Sequence, residues 1–206
     1  MQGYILNFAK VKDEDLIVTI LANSKLYTAY RFYGLRHSQI NIGYKIDFEL
    51  EHSIKSKIPR LRDILHLHES WLFDTQKCFI WQQFIKLLYK HLKDITECGE
   101  FYFNLLETIS IKLQKQNPKR AIIEAYLELL EFEGRLNQEF KCFICDKNID
   151  DNIAITRGFL KAHQNCIYST TTFTKTTIEE LFKLKNSFFL TDKQCETLWN
   201  IISEGL

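Results

Sequence analysis

Four residues in the last third of this 206-residue chain carry its clearest chemistry. Cys142-Phe143-Ile144-Cys145 and His163-Gln164-Asn165-Cys166 form two pairs, each with two residues between its ligands, and seventeen residues separate the pairs. So short a spacing lets one turn aim two side chains at one point, and three thiolates with one imidazole suit tetrahedral Zn²⁺. Protein would fill every coordination position, leaving none for water or substrate. Such a site is structural, with one zinc per chain, and not catalytic. The intervening segment, Asp146 to Lys161, reads as poor in apolar residues, so a metal would supply folding energy that burial does not. The plainer alternative is three unrelated cysteines and a surface histidine.

Other reactive arrangements are missing. The chain has no GxxxxGK[ST] phosphate loop, no GxGxxG fingerprint, no GxSxG elbow and no HExxH pair. Asp13, Glu14 and Asp15 could bind a divalent ion as nucleases do, although solvated carboxylates in a turn are the simpler reading. His66 and His68 lie two apart on an expected strand with no evident partner, and Cys78, Cys98 and Cys195 read as core thiols on helical faces. Six cysteines in a chain of this length point to a reducing compartment, not a disulfide scaffold. A binding protein, not an enzyme, is expected.

The second chemical signal is cationic and aromatic. Tyr27, Tyr30, Arg31, Phe32 and Tyr33 fall close together, followed by Arg36 and His37 beyond Gly34. Lys55, Lys57, Arg60 and Arg62 gather around Pro59 in what reads as a connection. Cations interleaved with ring faces are what single-strand-binding barrels use, and phosphate neutralisation would make the affinity salt-dependent. About half of the alternating aromatics must point into a core, leaving about two for bases. Residues 1–62 hold ten Lys/Arg against six Asp/Glu, and residues 63–206 hold seventeen against twenty. That imbalance suits a polyanion at the front, and it also suits an ordinary solvated surface.

The elements that must position these groups change character along the chain. Tyr4–Phe8, Leu16–Leu21, Leu26–Tyr33, Lys45–Glu51 and Leu61–Leu67 read as five short strands, the fourth alternating apolar and charged. Five strands without an intervening helix predict a small closed OB-fold barrel. Helical spacing then governs 75–93 and 99–116. Asn117-Pro118 opens a third helix that Gly134 ends, and Thr177…Glu180 and Thr191…Gln194 read as capping boxes. The expected fold is therefore α+β and multidomain: a nucleic-acid-binding barrel over 1–73, then a helical domain over 74–206 with a zinc-binding insertion at about 140–168. Hydrophobic residues make up 46% of the chain and there are only 7 Gly and 2 Pro, so long flexible linkers are not expected. No apolar run reaches bilayer length and no secretory signal opens the chain, which leads to the expectation of a cytoplasmic protein.

In this order of parts the chain resembles the RecO recombination mediators. Asp13-Glu14-Asp15-Leu16-Ile17-Val18-Thr19-Ile20-Leu21 is similar to their second strand. Tyr33-Gly34-Leu35-Arg36-His37-Ser38 is similar to their glycine–any–arginine–basic–any–serine turn, with Ser38 one residue early. Ile46–Glu51 and Leu61-Arg62-Asp63-Ile64 match the strands that follow, and the two metal pairs fall where many members carry four cysteines. His163 stands where the family usually has Cys, an exchange zinc tolerates, and the turn after Asn23 lacks the usual glycine.

The resemblance implies a bacterial, nucleoid-associated DNA-repair protein. It would bind single- and double-stranded DNA, anneal complementary strands, work with RecR and engage the C-terminal tail of single-strand-binding protein while helping to load RecA. Arg31 and Arg36 would be DNA contacts, with His37, Lys55, Lys57, Arg60 and Arg62 as further candidates. Two other classes compete: a zinc-knuckle adaptor that binds only protein, and a metal-dependent nuclease using the Asp13–Asp15 carboxylates.

Overall fold

The computed structural model describes residues 1–36, 39–54 and 56–206, so the expected contacts His37 and Lys55 lie outside the described residues. Two compact units emerge, Met1–Gln114 and Lys115–Leu206. The change from strand to helix falls near residue 74, and two helices beyond it belong with the first unit.

The first unit begins with five strands: β1 (Gln2–Lys10), β2 (Leu16–Ala22), β3 (Lys25–Arg31), β4 (Lys45–Ser53) and β5 (Ser56–Leu67). They close into a barrel in the order β1-β2-β3-β5-β4, antiparallel except where β3 meets β5 at Tyr30 and Arg60. Strand alternation fills the interior with Ile5, Leu16, Val18, Ile20, Ala29, Ile46, Phe48 and Leu61. The closed OB-like barrel expected from the strand pattern is what forms. Asn23 turns β2 into β3 with φ +52°, a conformation asparagine tolerates, so no glycine is needed there.

Strand β5 starts earlier than its apolar pattern suggests. Pro59 lies within it, between the pairs Glu51–Arg60 and Ser53–Ser56, where the ladder is irregular and a missing N–H is harmless. Lys57 and Arg60 therefore sit on a strand and not in a connection.

Helices α1 (Thr75–Leu92) and α2 (Phe101–Lys115) complete the unit. Asp74 caps α1 by accepting from the N–H groups of Gln76 and Lys77. Trp81, fully buried, meets Tyr4 and Trp71 edge-on and donates to the Gly43 carbonyl at 2.9 Å. Cys98 lies in the loop before α2, where its N–H donates to Ser24. The expectation of a helical position for it fails because Gly99, at φ +74°, delays the helix.

In the second unit, α3 (Pro118–Phe132) is buried along most of its length, with Asn117 as its cap. It packs against α6 (Asp192–Ser203), which opens with a full capping box of Thr191 and Gln194. Glu124 on α3 accepts from both the N–H and the hydroxyl of buried Ser187. Helix α5 (Lys175–Leu184) starts two residues before the expected box: Thr174, not Thr177, is the cap. Buried Phe173 and Ile178 flank that cap in the arrangement of a hydrophobic staple, which selects Thr174.

Between α3 and α5 lie β6 (Ile153–Ile155), β7 (Lys161–His163) and the single turn α4 (Gln164–Ile167). The expectation that Asp146–Lys161 cannot pack is overturned. Ile149, Ile153, Ala154, Ile155 and Phe159 are buried, and Lys161 is buried with its ammonium donating to the carbonyls of Asn137 and Glu139. No helix among the described residues is long and apolar enough to cross a membrane.

Candidate metal centre and nucleic-acid interface

The two sequence pairs converge. Ligand atoms of Cys142, Cys145, His163 and Cys166 all lie within 4.8 Å of one another. The first pair sits in a tight turn: Asp146 N–H donates to the Cys142 carbonyl at 2.8 Å and Cys142 N–H to the Lys147 carbonyl at 2.9 Å. Asp146 takes φ +59°, the left-handed place a glycine would otherwise fill. The second pair comes from the end of β7 and the short helix α4. Phe143 N–H donates to the Lys161 carbonyl at 3.0 Å, which ties the turn to β7.

The imidazole is oriented for the cluster. His163 Nδ1 stands 3.4 Å from Cys145 Sγ and 3.9 Å from Cys166 Sγ. Its Nε2 lies 3.1 Å from the Asn148 carbonyl, which fixes the tautomer that leaves Nδ1 free to ligate. Around tetrahedral zinc, with bonds of about 2.3 Å to sulfur and about 2.0 Å to nitrogen, ligand atoms stand about 3.5–3.8 Å apart. The donor set and its spacing fit such an ion, so this cluster could hold a metal.

The three thiols are not equivalent. Burial alone would raise Cys142, but backbone N–H groups of His163, Cys145 and Ile144 outweigh it and bring the thiol to about 6. Loss of solvent, then hydrogen bonding with Cys142 and Cys145, pushes Cys166 up to about 11. A cation among them would favour the charged form of all three sulfurs.

The barrel places the expected DNA contacts differently from one another. Arg31 is half-buried and donates to the Leu61 carbonyl at 3.1 Å, bracing the seam between β3 and β5. Arg36 pairs with Glu14, and Arg60 and Arg62 each reach Glu51 at 3.9 Å. Lys57 is exposed. The acidic turn is engaged in turn: Asp15 accepts from the Tyr30 hydroxyl at 2.6 Å and the Tyr33 N–H at 2.7 Å. Both bonds hold its carboxyl below the usual aspartate range. With Asp15 and Glu14 committed, no metal-binding group forms there among the described residues. His66 finds a partner that the sequence did not suggest, stacking on Tyr44 with 4.0 Å between ring centres, and His68 follows it at 4.1 Å. Asn148, Asp146 and Glu51 were equally hidden, since nothing in their spacing marks them as supports.

Fold and site together define a class: a small OB-like barrel in front of helices that carry a Cys₃His cluster able to hold a metal ion. Residues 1–72 match the family model described as RecO N terminal. Over that segment, about a third of its length, the chain is similar to the N-terminal domain of the RecO family. No curated protein matches the chain at a significant level.

Proposed function

We propose that this protein is a non-enzymatic recombination mediator. Its barrel binds single- and double-stranded DNA and anneals complementary strands. With RecR, it helps to load RecA onto DNA coated by single-strand-binding protein. The observation that carries this reading is the RecO N-terminal match over a closed barrel whose surface bears Arg36, Lys57, Arg60 and Arg62. Annealing needs no reacting side chain: cations that neutralise two phosphate backbones reduce their repulsion while bases pair. In this reading the DNA-binding domain spans 1–73 and the helical domain 74–206, and the protein works in the cytoplasm.

Zinc is the proposed occupant of the Cys142, Cys145, His163 and Cys166 cluster, where it would cross-link the turn at 142–146 to β7 and α4. The second unit also has a cleft walled by Phe140, Ile178 and Phe182, with Lys161, Lys183, Glu131 and Glu179 at its lining.

The deciding experiment is a salt-titrated binding and annealing assay on labelled oligonucleotides without nucleotide. Affinity that falls linearly on a log–log salt plot, with accelerated annealing, is expected. Oligonucleotides left unbound in dilute buffer would overturn the proposal, and degradation with Mg²⁺ would replace it with a nuclease.

A further inference from the structure

The turn after β3 displays two aromatic rings where burial gives them nothing. Phe32 is 46% and Tyr33 55% exposed. Tyr33 adopts φ +50°, a costly backbone for a bulky L residue. Asp15 maintains it, one carboxylate oxygen accepting from the Tyr33 N–H and the other from the Tyr30 hydroxyl. Tyr30 in turn meets Phe32 edge-on at 4.9 Å. Both exposed rings are thus held in place from behind.

Each ring also carries a cation. The Arg36 guanidinium lies 4.9 Å from the Tyr33 ring centre, and that of Arg60 lies 5.2 Å from Phe32. The same guanidiniums, with Arg62, are paired to Glu14 and Glu51. Three arginines beside two adjacent ring faces share only two paired carboxylates, Glu14 and Glu51, while Asp15 is taken up by Tyr30 and Tyr33. A ligand that is both flat and anionic matches this surface, and a duplex does not offer its base faces.

We propose that Phe32 and Tyr33 form a base-stacking site for single-stranded nucleic acid, and that Glu14 and Glu51 hold the flanking arginines until backbone phosphates displace them. The inference rests on the reading of the barrel as a nucleic-acid-binding domain. It adds which rings read the strand and what competes with it. The carboxylates keep the arginines extended over the rings, so an arriving strand meets an ordered surface.

The test uses the full chain with labelled oligothymidine and a duplex of equal length. Phe32→Leu/Tyr33→Leu keeps bulk but removes both π-faces. It is expected to weaken single-strand binding by about fivefold or more per ring while leaving duplex affinity unchanged. Tyr33→Trp is expected to hold or tighten single-strand affinity, and Glu51→Gln to tighten it by up to about fivefold, the scale of a surface ion pair. Wild-type single-strand affinity retained in the leucine variant overturns the stacking site alone, as do equal losses on both substrates or a drop with Tyr33→Trp. Weaker binding by Glu51→Gln overturns the role of the carboxylates. A wild-type protein that binds neither substrate removes the mediator reading along with this one.

Discussion

Gly43 shows how narrowly a single position can be constrained. It has φ +82°, and a Cβ there would stand 2.3 Å from Trp81 Nε1, the atom that donates to its own carbonyl. Gly43→Ala therefore combines backbone strain with a clash against a fully buried indole. It should destabilise the first unit by at least about 2 kcal/mol in denaturant unfolding. An alanine variant of native stability would show that the loop relaxes freely. Asp15 offers a pH test at the same scale. Its folded carboxyl titrates below the ordinary value of 3.8 because the Tyr30 hydroxyl and Tyr33 N–H favour the charged form. Its contribution is therefore complete above that value and is lost as pH falls through the folded one. The melting-temperature gap between wild type and Asp15→Ala should be constant at neutral pH and narrow only in strongly acidic buffer. A gap that closes near pH 6 would assign the effect to another group.

At the scale of elements, α6 depends on its cap. Thr191→Ala removes the hydroxyl that accepts from Gln194 N–H and leaves only the reciprocal half of the box, the residue-191 N–H donating to the Gln194 side-chain oxygen. A loss of about 1 kcal/mol is expected, with a fall of roughly 4–8 °C in the Tm of the second unit. An unchanged melt would mean that α3 packing alone fixes α6. This cap was legible because Thr and Gln stand three apart before an apolar period. The cap of α5 was misread because Thr174 and Thr177 both lie in a threonine-rich run, and burial of Phe173 and Ile178 decides between them. Strand β4 was legible because it alternates without interruption, with Ile46 and Phe48 inward. The start of β5 was hidden by Pro59, a residue that reads as a break unless the ladder happens to skip it.

For the whole molecule, the convergence of Cys142, Cys145, His163 and Cys166 was legible from spacing, and the surroundings that support the cluster were not. Burial of Ile149, Ile153, Ile155 and Phe159 gives the cluster region a core of its own. A structural metal there would reinforce packing instead of replacing it. Chelation should raise amide hydrogen exchange across about 140–168 and lower the melting temperature of the second unit, while β1–β5 keep their protection. Equal loss of protection in the barrel, or none anywhere, would contradict a local structural role. The cationic surface shows a different limit of sequence reading. Positive residues were easy to find, but partners distant in sequence decide which remain free: Leu61 for Arg31, Glu14 for Arg36 and Glu51 for Arg60 and Arg62.

Closure of the five strands has one more consequence. With β1 paired to β4 over Gln2–Tyr4 and β3 meeting β5 at Tyr30 and Arg60, the described strands close on themselves. Closure disfavours a peptide that would join by lending an extra strand, and likewise edge-to-edge pairing of two copies. Recognition by this domain then falls chiefly to side chains, which makes its selectivity a property of loops and outward faces that can vary while the scaffold stays the same.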